Sequence, residues 1–457
     1  MKTKLIYTLM LAFLLSSCDK FLDIVPVGKL IPKTVEDYEQ MFNDDYSLKL
    51  LNDPTFFGAP NFGMNDASFK SADYYDRACY IWSKQVFEEN SISYTDWANI
   101  YSEIYIDNVI LDQINEATGD ETFRKQVIAE ARTRRAFSYL LLVGIYAPQY
   151  DKATAETDLG VPLRLSADVS GNAPARSSVK AVYDFILTEI QESWGDLPDQ
   201  ARNKFRVSKA TGNAILARTY LMMGEYDEAW TYADKALSGN NHLFNYNGVQ
   251  VDEDGDAPRV SAPKNDEYYL IRYYQYVNTG LGTGISKELY DLFPHDGTDL
   301  REEFEVQVDD QDFTLDSIYF NKMMVMTVAP TVPEMYLIRA EGYARKGDAA
   351  SLQKAMEDIN HLRSSRMVTG TPDLQATTQD AVMDIVLAER RRELNIQAGL
   401  NWLDMKRLNK EPKYARTLTR TMDGKTYTLA PNSRNYVMPI PYDVLGYNSA
   451  IIDNPRD

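Results

Sequence analysis

The chain has 457 residues, with 48 Lys and Arg against 67 Asp and Glu, a formal net charge of -19 and two cysteines. So acidic a surface disfavours nucleic acid as a partner. Two cysteines cannot build a disulfide framework, so the fold must rest on a hydrophobic core, which this length can bury in one large domain or two smaller ones.

Lys2 and Lys4 precede the apolar run Leu5 to Leu15, which is the pattern of an export signal and is too short to span a bilayer. Leu15-Ser16-Ser17-Cys18 resembles a bacterial lipobox. The expectation is a signal peptide over 1–17 and a lipidated Cys18 at the start of the mature chain, anchored through its acyl groups. Cys79 then has no second cysteine with which to form an intrachain disulfide.

Beyond Cys18, much of the chain carries the 3.6-residue period of amphipathic helices. Residues 95–115 read as one helix, with Ile100, Ile104, Leu111 and Ile114 near one face, and residues 129–147 as another that stops before Pro148. Val179, Tyr183, Ile186, Ile190 and Trp194 form a single stripe.

Two segments have the pattern of tetratricopeptide hairpins. In the first, Leu216, Ala217, Tyr220, Gly224, Ala229, Ala233 and Ala236 supply large, small, aromatic and turn residues in order. In the second, Ala340, Tyr343 and Gly347 occupy the same relative places, with Leu352, Met356 and Ile359 on the returning helix. Small residues let antiparallel helices approach, and the glycine permits the tight turn. The wide interval between the two matches points to a helical scaffold with large insertions rather than a regular solenoid.

The interval from about 240 to 333 is loop-rich and acidic, with short strands. A strand over Tyr268 to Val277 would place Tyr269, Ile271, Tyr273 and Val277 on one face and Tyr268, Leu270, Arg272, Tyr274 and Tyr276 on the other. Asp252, Asp254 and Asp256 superficially suggest a calcium loop, but Gly255 and Pro263 break the EF-hand spacing. His242, His295 and His361 form no local metal-ligand pair, and neither a nucleophile elbow nor a Walker lysine is present. No catalytic residue, metal or cofactor is expected.

Towards the C-terminus Thr377 is read as a helix cap with Asp380 as its reciprocal partner. Glu389 can reach Arg392, or Glu393 can reach Arg390, across one turn. Arg390, Arg391 and Arg392 thus belong either to an ion-pair network, favoured by the alternating acids, or to an anion-binding cluster.

The lipobox, the separated hairpins, the run "ERRRELNIQAGLNWLDMKR" and the closing "RNYVMPIPYDVLGYNSAIIDNP" together resemble the SusD/RagB family of Bacteroidota outer-membrane lipoproteins. Glu389, Arg390, Glu393, Trp402, Asp404 and Arg407 carry the first match; Pro439, Ile440, Pro441, Asn454 and Pro455 carry the second; Asp299 and Arg301 match an internal Asp-x-Arg segment. The family's Glu-Gly-x-Arg before the tryptophan is replaced by Ala398, Gly399, Leu400 and Asn401.

The resemblance implies a mainly α fold. It implies that residues 18–457 form one SusD-like domain, its tetratricopeptide-like scaffold interrupted by a loop-rich ligand-region insertion at about 240–333. It also implies a non-catalytic, cell-surface lipoprotein that binds oligosaccharide, or peptide in the RagB branch, and serves a SusC-like TonB-dependent transporter. A helical-repeat interaction scaffold is the alternative, and an exported glycan hydrolase a more distant one.

Sugar recognition asks for aromatic platforms beside directional polar groups. The densest such segments contain Asp73, Tyr75, Arg77 and Trp82, and then Arg272, Tyr273, Tyr274 and Tyr276. These are the candidate ligand-binding residues, on a surface built from an early loop and the middle insertion.

Overall fold

The computed structural model describes residues 32–43, 49–51, 54–88, 96–170, 174–250, 265–275, 283–308, 318–320, 327–395, 397 and 399–457. Cys18, Tyr276 and the acidic segment 252–256 lie outside the described residues. The fold is predominantly helical, and among the described residues no helix is long and apolar enough to cross a membrane.

The first long pair is α1 (Asp96–Gln113) and α2 (Glu121–Tyr146). Ile100 and Ile104 are buried as the stripe predicts, while α2 begins eight residues earlier than the apolar run suggests. The reason is the cap: the Asp120 carboxylate accepts from Phe123 N at 2.7 Å. α3 (Val179–Ser193) comes next, with Ser178 accepting from Ala181 N at 3.2 Å. Its buried stripe ends at Ile190. Trp194 falls in a succeeding 3-10 turn and is 37% exposed, its indole covered on one side by Lys209.

Both hairpins form where the glycines place them. α4 (Lys209–Met223) turns at Gly224, φ 75°, into α5 (Tyr226–Gly239), and α6 (Val332–Lys346) turns at Gly347, φ 76°, into α7 (Ala349–Ser364). These left-handed angles are the ones glycine adopts without a Cβ clash.

Although nearly a hundred residues separate α5 from α6, the two pack directly. At their contact a Cβ on Gly342 would come within 2.5 Å of Trp230 Cβ. The insertion therefore leaves one hairpin and returns to the next, so the hairpins stack as neighbouring repeats. α8 (Gln379–Glu393) packs on α6 and α7. Its cap is Thr378, accepting from Ala381 N at 3.4 Å, one residue beyond the Thr377 that the capping-box pattern selects.

The described strands form two-stranded pairs. β1 (Lys49–Leu51) runs parallel to β3 (Tyr273–Gln275), β2 (Phe62–Met64) antiparallel to β4 (Thr283–Ile285), β5 (Val306–Val308) to β6 (Ile318–Phe320), and β7 (Leu418–Met422) to β8 (Lys425–Leu429). The strand read over 268–277 is shorter than predicted: Tyr268 makes only an isolated bridge to Thr331, and residues 268–272 are buried on both sides of the alternation. With no outward face to alternate, the period-2 signal has nothing to report there.

The motifs that are most specific in sequence are packing devices. In α9 (Leu400–Leu408), Trp402 is buried and donates from Nε1 to Tyr436 O at 3.2 Å. Lys406 donates to Gly144 O at 2.6 Å and Ala147 O at 2.8 Å, capping the C-terminal end of the 26-residue α2. Burial pushes its ammonium down to about 7. Asn454 donates to Tyr146 O and Met438 O, both at 2.8 Å, fastening the chain terminus to the same helix end.

Candidate ligand-binding surface

Two ladders join the early segment to the middle insertion. β1 pairs Leu50 with Tyr274, and β2 pairs Gly63 with Gly284, so residues 49–51 lie beside 273–275 and residues 62–64 beside 283–285. The ladders join strands that precede the early candidates, at 73–82, to strands in and after the second candidate segment, and the Tyr80 hydroxyl accepts from Met64 N at 3.1 Å, tying the early helix to β2. The side chains of Tyr273 and Tyr274 are not described, but the backbone places them at the β1–β3 ladder.

The short helix Tyr74–Tyr80 presents the early candidates. Asp73 is its N-cap residue, exposed and making no side-chain cap bond. Behind it Asp76 is buried, and its carboxyl is pushed up to about 6, first by burial and then by the Asp73 charge. Tyr75 is half-buried and stacks on Phe87, centroids 5.5 Å apart and planes 12° apart. Arg77 folds back on its own segment, donating to Ala72 O at 2.9 Å and Lys70 O at 3.1 Å.

Trp82 takes an inward position. It is 4% exposed, and its indole N–H donates to Gly58 O at 2.9 Å. Its ring packs with Trp402, Met405, Leu418 and Tyr436, with the Arg420 guanidinium 4.7 Å from its centroid. At φ 55° it is also left-handed, a costly conformation for a bulky residue that persists only where neighbours enforce it.

Those neighbours come from the C-terminal segment. Arg420 donates to the carbonyls of Phe57, Ala59, Phe62 and Tyr80, while Asn435 Nδ2 donates to Trp82 O at 3.0 Å and Arg456 to Ser83 O at 2.7 Å. No sequence spacing announces this clamp, because every contact spans more than 350 residues except that to Tyr80, at 340.

Arg272 is 1% exposed and lies beneath the surface rather than on it. Its Nε stands 3.8 Å from Glu103 Oε2, and burial, followed by the nearby Arg134 charge, brings the guanidinium down to about 10. Of the described candidates, Asp73 is exposed and Tyr75 half-buried, whereas Trp82 and Arg272, expected from the sequence at the ligand surface, are both buried.

The arginine run resolves as an ion-pair network. Arg390 donates to Asp404 at 2.7 Å, Arg391 to Glu288 at 2.6 Å and to Asn61, and Arg392 to Glu389 at 2.6 Å. Glu393 turns instead to Arg301 and Arg366. Cys79 is buried, and among the described residues no cluster of His, Cys, Asp and Glu could hold a metal ion.

Two family models match the chain: SusD-like_3, described as "Starch-binding associating with outer membrane", over residues 21–221, and SusD_RagB, the SusD family, over residues 332–456. A SusD-like protein P38 of Formosa agariphila is 23% identical over 389 residues, spanning 70% of this chain and 73% of that protein. Among solved structures, a SusD superfamily protein from Bacteroides thetaiotaomicron superposes with a TM-score of 0.73 at 18% identity, covering 93% of this chain and 100% of the other. A SusD-like carbohydrate binding protein from Bacteroides vulgatus superposes with a TM-score of 0.65 at 19% identity, covering 92% and 97%. With its stacked hairpins, its buried Trp402 and Asn454 devices and these matches along both ends, the chain belongs to the SusD/RagB family.

Proposed function

We propose that this protein is a non-catalytic outer-membrane lipoprotein, anchored through Cys18 and facing the cell exterior, that captures oligosaccharide and passes it to a SusC-like TonB-dependent transporter. The observation that carries the reading is the pair of ladders that lays residues 49–51 and 62–64 beside strands of the middle insertion, within a chain of the SusD/RagB family. In this reading the candidates outside the core are Asp73, Tyr75 and Arg77, joined by Tyr273 and Tyr274 at the β1–β3 ladder and by Tyr276, which lies outside the described residues, while Trp82 and Arg272 are buried. Aromatic faces pack against the C–H side of a sugar ring while neighbouring carboxylates and guanidinium groups take the hydroxyls. The family's description as starch-binding and the carbohydrate-binding structural relative support carbohydrate over peptide.

The test is a glycan array on the purified mature protein, followed by calorimetry on defined oligomers. Binding to one class of glycan is expected; peptide binding with no glycan signal would overturn the substrate class. Mild-detergent purification from the native membrane should also recover a large TonB-dependent barrel in near-equal amount, and its repeated absence would favour an independent scaffold.

A further inference from the structure

A groove of about 330 Å³ runs between residues 84–87 and the C-terminal segments at 439–442 and 453–456. It lies outside the candidate ligand-binding residues but adjoins one of them. Tyr75 stacks on Phe87, and Phe87 meets Tyr442 edge to face, centroids 6.0 Å apart, so the three rings form one ladder from the half-buried Tyr75 out to the groove wall. Tyr442 is 39% exposed. Its ring therefore rests against Phe87, which Tyr75 backs in turn, and is partly open to solvent.

Three polar side chains of different chemistry line the same groove as that ring. Lys84 and Gln85 are exposed, the Gln85 amide N–H donating to Phe87 O at 3.3 Å and leaving its side-chain carbonyl oxygen outward, and Asp453 is held by two backbone donors, Ile440 N and Asn454 N, both at 2.7 Å from Oδ1. The walls are fixed as well: Arg456 ties Ser83 O to the carbonyls of Asn435 and Val437 across the groove floor. A rigid aromatic face flanked by an ammonium, an amide and an immobilised carboxylate suits a ligand that is neutral, hydroxyl-rich and apolar on one side. A multiply charged anion would meet Asp453, and a purely apolar ligand would strand the polar groups.

We propose that this groove is an accessory carbohydrate site that holds a short stretch of neutral oligosaccharide, with Tyr442 as the stacking platform and Lys84, Gln85 and Asp453 as hydroxyl partners. The inference rests on the carbohydrate reading of the protein's function, and it adds a contact region contributed by the chain terminus.

The experiment is calorimetry with the neutral oligosaccharide that gives the strongest array signal, using the full mature chain and four variants. Tyr442→Ala and the exposed double variant Lys84→Ala/Gln85→Ala should each weaken binding by about three- to tenfold, the range of one aromatic or a pair of polar contacts. Tyr442→Phe should retain most of the affinity, because the ring remains. Tyr447→Ala, at a fully outward ring beyond the groove, should change nothing. Parent-level affinity in both Tyr442→Ala and the double variant would overturn the groove while leaving the carbohydrate reading intact. An equal loss in Tyr447→Ala would overturn it too. A parent that binds no neutral oligosaccharide at all would overturn both, which separates that failure from the first. Because Lys84 and Gln85 are exposed, their variant tests the site even if Tyr442→Ala fails to fold.

Discussion

In the C-terminal half, Arg301, Arg366 and Arg407 direct their guanidinium donors onto acceptors at short range; between α1 and α2, Arg134 and Arg272 are buried just as deeply but leave much of theirs unused. Arg407 pairs with Glu341 through two bonds of 2.7 and 2.8 Å and with Asp404 at 2.8 Å. Arg301 reaches Asp299 twice, at 2.9 and 2.7 Å, and Glu389 and Glu393 at 2.7 and 2.8 Å. By contrast Arg134 makes one hydrogen bond among the described residues, Nε to Asp107 at 3.2 Å. Among the described residues both its Nη atoms lack a hydrogen bond, as do Arg272 Nε and Nη2, Glu103 Oε1 and Asp107 Oδ2.

Three carboxylates register the difference. Burial acts to raise Glu341, Glu389 and Asp107 alike, but the paired arginines reverse the sign in the C-terminal network, holding Glu341 and Glu389 at about 2. Burial wins at Asp107, which is pushed up to about 7 with Arg134 only partly opposing it. Charge burial stabilises a fold only when geometry answers desolvation. The forks at Arg301, Arg366 and Arg407 therefore tie segments of the scaffold together, although Arg390 beside them leaves both Nη atoms without a hydrogen bond among the described residues, and the looser cluster includes Arg272, which precedes β3.

The contrast is broken most directly at Arg407. Arg407→Met leaves Glu341 and Asp404 buried beside fewer cations, and urea unfolding should show a loss of about 3–5 kcal/mol. A loss below about 1 kcal/mol would show that the fork contributes little beyond its own desolvation.

A pH series separates the two clusters by sign. Glu341 and Glu389 have folded values near 2, below the ordinary 4.5, so their contribution is present above about 4.5 and is lost as pH falls towards 2. Asp107 works the other way: its folded value near 7 exceeds the ordinary 3.8, the folded state binds the extra proton, and stability declines as pH rises from about 4 to 7. Asp107→Asn should flatten that decline and leave the acid limb unchanged; an unaltered slope between pH 4 and 7 would mean that Asp107 is ionised throughout.

The smallest effect is expected at Arg272. Since two of its donors have no acceptor among the described residues, Arg272→Met should cost only about 1 kcal/mol by the same urea measurement, well short of Arg407→Met. Equal losses at the two arginines would erase the distinction between the clusters.

Much of the scaffold was legible because its signals are local. Gly224 and Gly347 mark turns that need left-handed backbone, and the alanines beside them mark close helix contacts, so both hairpins follow from short stretches. The family motifs were equally readable, though what they do was not: Lys406 caps a helix some 260 residues earlier in the chain, and nothing in its neighbourhood names Gly144.

The candidate surface was less legible for a related reason. Trp82 and Arg272 stand in the aromatic and polar company that suggests exposure, but whether a side chain faces water depends on which distant segment covers it. Arg420, Trp402 and Asn435 cover Trp82, and Glu103 lies against Arg272. Tyr442, Lys84, Gln85 and Asp453 carry no signal as a group in the sequence, because they meet only when residues 84–87 are laid against the terminal segments.

By itself the sequence determined the helical periods, the two glycine turns, the acidic balance and the family, since each depends on residues close together or on motifs carried whole. Tertiary structure alone decided that the two hairpins stack as neighbours across an insertion, which buried arginines meet their acids in matched forks, and which rings reach the surface. Those outcomes depend on distances between segments hundreds of residues apart, where a shift of an ångström or two separates a two-pronged ion pair from a buried charge without a partner.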